Sequence, residues 1–183
     1  KTDCTAGAEE LLFIQYTSGS TGNPKGVMIT YGNLKHQLYC LSTSFIGMHD
    51  ILVGWVPQYH DMGLFNILTS LYTKTRVYMM SPVQFIQNPI LWPQAIEKFK
   101  ATCICGPNFA YALTCKRLKE SGKRFNCSSV VSAGFGAEPT QPSTIDSAVN
   151  IFGIKKAALT NIWGLAEHCV YAMGIPGGHK VDK

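Results

Sequence analysis

No apolar run among the 183 residues approaches the ~18 needed to cross a bilayer, so no transmembrane span is expected. The opening Lys1-Thr2-Asp3-Cys4 lacks the charged, apolar and small-residue order of a secretory signal. The seven cysteines form no Cys-x-x-Cys pair and no His/Cys set at zinc spacing. They sit mostly in apolar sequence, as in Thr102-Cys103-Ile104-Cys105, where a free thiol acts as a small hydrophobe. A reducing, cytoplasmic setting fits that usage. The net charge of +5 is mild, and no basic stripe interleaved with aromatics is present, so nucleic acid is not an expected partner. The short cluster Lys116, Arg117, Lys119, Lys123 and Arg124 reads as the wet face of a helix end. There is no internal repeat, low-complexity tract or clear linker. The chain is thus one domain, or, given the missing initiator Met, a piece of a longer one.

What is present is concentrated in Thr17-Ser18-Gly19-Ser20-Thr21-Gly22-Asn23-Pro24-Lys25-Gly26. Strand-like sequence flanks it, Leu11–Tyr16 before and Val27–Thr30 after. A glycine-rich turn between strands lets backbone N–H groups converge on an anion, and the hydroxyls and Lys25 add donors and charge. Glycine and serine equally favour a plain hairpin loop. The Pro-Lys-Gly ending favours phosphate. A Walker A loop is excluded, because Lys25 leads into a strand rather than opening a helix.

The remainder alternates between strands and helices. Strands are expected at 51–56, 76–80, 101–105, 129–133 and 158–162. Helices are expected at 34–44, 61–71, 89–100, 109–119 and 143–152, the first capped by Tyr31-Gly32-Asn33. This order predicts βαβ crossovers: an α/β fold with a mostly parallel sheet and helices on both faces. Ligands then belong at the carboxyl ends of the strands.

Three further loops follow strands. Pro57-Gln58-Tyr59-His60-Asp61-Met62-Gly63 sets an imidazole at a helix start, where the amides favour its neutral form and nearby anions. Gly134-Phe135-Gly136-Ala137-Glu138-Pro139 is a Gly-x-Gly turn without the full dinucleotide fingerprint. Trp163-Gly164-Leu165-Ala166-Glu167 joins a planar aromatic, a glycine and a carboxylate, a set suited to a base, a close backbone and Mg²⁺. Each has a bland reading beside it: a capped helix, a tight turn, a rim tryptophan and a solvated glutamate.

Taken together and in order, the four loops resemble the acyl-adenylate-forming enzymes. The first matches that superfamily's Ser-Gly-[Ser/Thr]-Thr-Gly-x-Pro-Lys-Gly pattern without a gap. The last is similar to its aromatic-Gly-x-x-Glu motif, with Trp163 where Tyr is usual and Ala166 where many members carry Thr, which puts more of the metal contact on Glu167. Trp55 through Leu64, with Gly164-Leu165-Ala166-Glu167, most resembles the fatty acyl-AMP ligases.

The resemblance implies part of the N-terminal lobe of an adenylate-forming enzyme over residues 1–183, with the small C-terminal lobe absent. It implies ATP and Mg²⁺ as cofactors and a fatty acid as substrate. The acyl group would pass to an acyl carrier protein phosphopantetheine or to CoA. In that reading Thr17, Ser18, Gly19, Ser20, Thr21, Gly22 and Lys25 hold the phosphates. Gly134, Gly136, Ala137, Trp163 and Gly164 form the adenine slot, Glu167 binds the metal, and His60 orients the carboxylate. Lys25, His60 and Glu167 would carry catalysis. Trp55, Met62, Leu64 and Phe65 stand as candidates for an acyl tunnel or for the core. No Ser/Thr-Gly-Asp ribose motif and no later catalytic lysine were found, so these residues alone are expected to adenylate weakly or not at all. An acyl-CoA synthetase using free CoA, and a non-catalytic nucleotide-binding module, are the alternatives.

Overall fold

The computed structural model describes residues 6–17 and 24–174. Two antiparallel strands, β1 (Leu11–Thr17) and β2 (Lys25–Thr30), form a separate ribbon in which Thr17 pairs with Lys25. The main sheet contains β3 (Ile51–Gly54), β4 (Arg76–Met79), β5 (Cys103–Gly106), β6 (Ser132–Phe135), β7 (Leu159–Trp163) and β8 (Met173–Gly174). Its order is β4-β3-β5-β6-β7-β8, parallel except for the last pair. The helices are α1 (Tyr31–Ser44), α2 (Asp61–Thr73), α3 (Pro82–Gln87), α4 (Leu91–Phe99), α5 (Asn108–Ser121) and α6 (Pro142–Ser147). A π-helical turn, Ala148–Phe152, continues α6.

Side chains alternate across a strand, so each central strand feeds two cores. Leu52, Cys103 and Cys105 point toward α1 and α2, where Leu41, Phe45 and Phe65 complete one cluster. Val53, Ile104, Ala133 and Phe135 point the other way, onto Trp92, Tyr111 and Phe152. The expected mostly parallel sheet with helices on both faces is therefore the observed architecture. Cysteine usage follows the same logic. Burial pushes the Cys105 and Cys115 thiols up to about 11 and Cys127, also through the nearby Glu97 charge, up to about 12. They act as inert packing groups.

Several element boundaries differ from the sequence reading, each for a local reason. Helix α1 begins at Tyr31, because Thr30 and Asn33 form a reciprocal capping box; Tyr31-Gly32-Asn33 lies inside the first turn. The sixth strand starts at Ser132 rather than Ser129. A turn closes from Val130 N–H to Cys127 O, and Val131 and Ser132 both donate to Thr102 O before pairing begins. Helix α3 went unread, although Ser81-Pro82-Val83-Gln84 is a capping box with proline in the first turn. Trp55 is excluded from any acyl tunnel. It stacks on Phe85 at 4.0 Å in the core on the far side of the sheet. The basic cluster is, as expected, a solvated helix end, with Lys116 and Arg117 both paired to Glu120.

Candidate functional site

The carboxyl ends of β6 and β7 and the start of α2 converge on one hollow of about 200 Å³. Its mouth carries His60, Asp61, Gly136, Ala137, Trp163 and Gly164; its interior is mostly apolar, with Leu41, Phe45, Phe65 and Ile162. Met62 lines it as well and also packs against both core clusters. A second hollow lies beside it, between Thr17 at the end of β1 and Leu64 and Ala166. His60 and Asp61 border both, so the end of β1 and the apolar hollow share a wall. Ser18, Gly19, Ser20, Thr21 and Gly22 lie outside the described residues.

His60 caps α2 from an extended backbone conformation. Two contacts compete for its Nδ1: Met62 N–H at 3.2 Å and Asp61 Oδ1 at 2.7 Å. The carboxylate wins, because a charge-assisted contact is the stronger and Met62 N–H already has Asp61 Oδ1 at 2.6 Å. Nδ1 then carries the proton and donates to Asp61, which leaves Nε2 for a ligand. The hydrogen bond donated to Asp61 raises the imidazole pKa above its ordinary 6.5, against the opposing effect of burial. This direction is opposite to the one expected from the helix amides alone.

Because the folded pKa is raised, the pair's stabilisation is complete below about pH 6.5 and is lost as pH rises through the folded value. Asp61→Asn keeps an acceptor for Met62 N–H but removes the charge. The His60 midpoint, followed by NMR of its ring protons, is expected to fall in this variant. An unchanged midpoint would assign the shift elsewhere.

Gly63 and Gly164 have the strictest local requirements. A Cβ on Gly63 would strike the Pro57 carbonyl oxygen and lie 2.7 Å from Val56 O, so α2 is able to seat against the end of β3 only with glycine there. A Cβ on Gly164 would coincide with the Val170 carbonyl oxygen. That approach is made by a tight turn at Cys169 (φ 65°, ψ −57°), closed by Val170 N–H donating to His168 O at 2.8 Å. Gly164 thus admits the protein's own backbone while also bordering the hollow. Ala137 holds a left-handed φ of 67° at the mouth, a conformation that costs a non-glycine residue energy.

Trp163 ends β7 with its indole 60 % exposed at the rim, a planar apolar face with little protein against it. Gly134 takes a different position from the other slot candidates. It is buried within β6, against Phe45 and Ile162, and does not line the hollow. Its carbonyl accepts from the Tyr111 hydroxyl at 2.9 Å, which anchors the strand end that presents Gly136. Glu167 is exposed on the 3₁₀ turn Ala166–His168, beside the residue that borders the second hollow. Lys25 is exposed at the start of β2, across from Thr17.

No group of three His, Cys, Asp or Glu able to hold a metal occurs among the described residues. The single exposed carboxylate of Glu167 fits Mg²⁺, which commonly takes one or two carboxylates and fills its remaining positions with phosphates and water. Phe45, Asn66, Cys105 and Tyr171 were missed as wall residues, because helix packing rather than a motif brings them there. Gln37 Nε2 donates to Tyr171 O at 3.1 Å and ties that wall to α1.

Comparison with known proteins matches this geometry. A crystal structure of fatty acid AMP ligase from Legionella pneumophila superposes with a TM-score of 0.88 at 40 % identity, covering 95 % of this chain and 32 % of that one. A fatty acyl-adenylate ligase from L. pneumophila, in complex with acyl adenylate and pyrophosphate, superposes with a TM-score of 0.86 at 40 % identity over 95 % of this chain and 32 % of its own. The medium-chain-fatty-acid–[acyl-carrier-protein] ligase TtuA of Teredinibacter turnerae is 38 % identical over 93 % of this chain, which spans 27 % of that relative. Residues 1–182 match the family described as AMP-binding enzyme, and this chain belongs to that family.

Proposed function

We propose that this chain forms the nucleotide- and acyl-binding part of an enzyme that activates a fatty acid with ATP. The observation that carries the reading is the apolar hollow that joins His60, Gly136, Ala137, Trp163 and Gly164 and shares His60 and Asp61 with a second hollow at the end of β1. A carboxylate oxygen attacks the α-phosphorus, the bond from that phosphorus to the β-bridging oxygen breaks, and pyrophosphate leaves. Acyl-AMP remains, and catalysis is chiefly positioning and charge neutralisation.

In this reading Thr17, the adjoining glycine-rich turn and Lys25 receive the β- and γ-phosphates. Trp163 stacks on adenine, with Gly136 and Ala137 at the slot's edge. Nε2 of His60 orients the carboxylate at the boundary of the two hollows. Bound through Glu167, Mg²⁺ would neutralise charge on the phosphates. The acyl group then passes to a thiol. The name of the Teredinibacter relative supports a carrier protein's phosphopantetheine over CoA. A cytoplasmic setting agrees with the six free cysteines among the described residues and with the absence there of any helix long and apolar enough to cross a membrane.

The test is calorimetric titration of this chain with a non-hydrolysable acyl-sulfamoyl-adenosine. Binding is expected, and Trp163→Ala is expected to weaken it roughly 5- to 150-fold, the range of a lost base–aromatic stack of about 1–3 kcal/mol. No binding by the unaltered chain would sink the reading. Equal binding by the variant would remove Trp163 from it.

A further inference from the structure

His36 and Cys40 stand four residues apart on α1, a spacing that puts both side chains on one face of the helix. His36 is exposed and Cys40 half-buried, whereas the other five free cysteines among the described residues are buried. Cys40 Sγ lies 3.5 Å from His36 Nε2, and neither side chain has another hydrogen bond among the described residues. Neither residue borders the two hollows of the candidate site. An imidazole and a thiol are thus held together at the surface, with no part in the reading above.

Thiolate sulfur and imidazole nitrogen are the donors that zinc-type cations take. Zn–S of about 2.3 Å and Zn–N of about 2.0–2.1 Å, at a tetrahedral angle of about 109°, place two ligand atoms about 3.5–3.6 Å apart. Sγ and Nε2 already have that separation. A metal can therefore take the place of the proton between them with only small side-chain rotations. We infer that His36 and Cys40 form a two-ligand chelate for a borderline-soft divalent cation of the zinc class. On binding, the Cys40 thiol releases its proton to solvent, bonds form from the metal to Sγ and to Nε2, and water completes the coordination. Nδ1 of His36 keeps the ring proton and donates it to water. Mg²⁺ takes oxygen donors and gains nothing here. The chelate closes the turn of α1 from which Gln37 reaches Tyr171 O, and so clips the helix behind the apolar hollow.

Titration of the reduced chain with Co²⁺, a spectroscopic substitute for Zn²⁺, tests the site. Thiolate-to-cobalt charge-transfer absorption is expected to saturate stoichiometrically; Zn²⁺ should displace it and Mg²⁺ should not. Cys40→Ser is expected to abolish the band. His36→Ala should weaken Co²⁺ binding at least about tenfold, since loss of an outer-shell partner alone costs about 10- to 100-fold and this variant loses a direct ligand. In the unaltered chain, Zn²⁺ is also expected to shift the His36 ring protons in NMR spectra, a readout that needs no variant to fold. No charge-transfer band, or no shift of those protons, would overturn the chelate. A band that survives in Cys40→Ser would overturn it by placing the metal on another thiol, and equal affinity in His36→Ala by placing it on Cys40 alone.

Discussion

Gly164→Ala is expected to lower the melting temperature of the chain by about 6–12 °C. The added Cβ falls on the Val170 carbonyl oxygen, with Tyr171 Cα 3.2 Å away, so backbone rather than a flexible side-chain tip must move. The turn at Cys169 already sits in a strained conformation and has little freedom to yield. Overpacking of this kind costs about 3 kcal/mol or slightly more, and a domain of this size loses about 2–4 °C per kcal/mol. The displaced segment also carries Glu167 and the Val170–Tyr171 wall of the hollow. Affinity for an acyl-adenylate analogue should therefore fall with stability. Thermal melts and calorimetry check both, and a variant with unchanged melting temperature would show that residues 165–171 adapt freely.

Gly63→Ala sets two opposed effects against each other. Alanine in a helix is favoured over glycine by about 0.8–1.0 kcal/mol, so a free first turn of α2 would be stabilised. Here the new methyl meets Pro57 O and Val56 O, and the cost of displacing that backbone is larger, about 3 kcal/mol. The net expectation is a loss of roughly 2 kcal/mol, about 4–8 °C in melting temperature. His60 moves with the helix start, so its contact with Asp61 should loosen and its pKa should fall toward 6.5. A stabilised variant would show that the helix entry tolerates a side chain and that only propensity matters there.

The sequence by itself determined more of this protein than local propensity usually allows. Strand and helix order was legible because apolar runs alternate with capped amphipathic segments, and that order requires a crossover-connected sheet. An imidazole at a helix cap and an aromatic–glycine pair at the end of a strand were legible because each needs particular residue types at fixed spacings. Tertiary structure alone decided the rest. It separated Trp55 from Phe65, assigning the first to the far core and the second to the hollow, because the chain turns after β3 and α2 covers the opposite face of the sheet. It put Gly134 in the packing beneath the hollow and gave Gly164 a backbone neighbour six residues on. It set His60 2.7 Å from Asp61, a contact that raises the imidazole pKa and that the sequence reading of the helix start did not include. It also brought Asn66 and Cys105 together from separate elements at the wall of the hollow. Spacing along the chain encodes which groups are present; which of them share a cavity is fixed only when helices pack on the sheet.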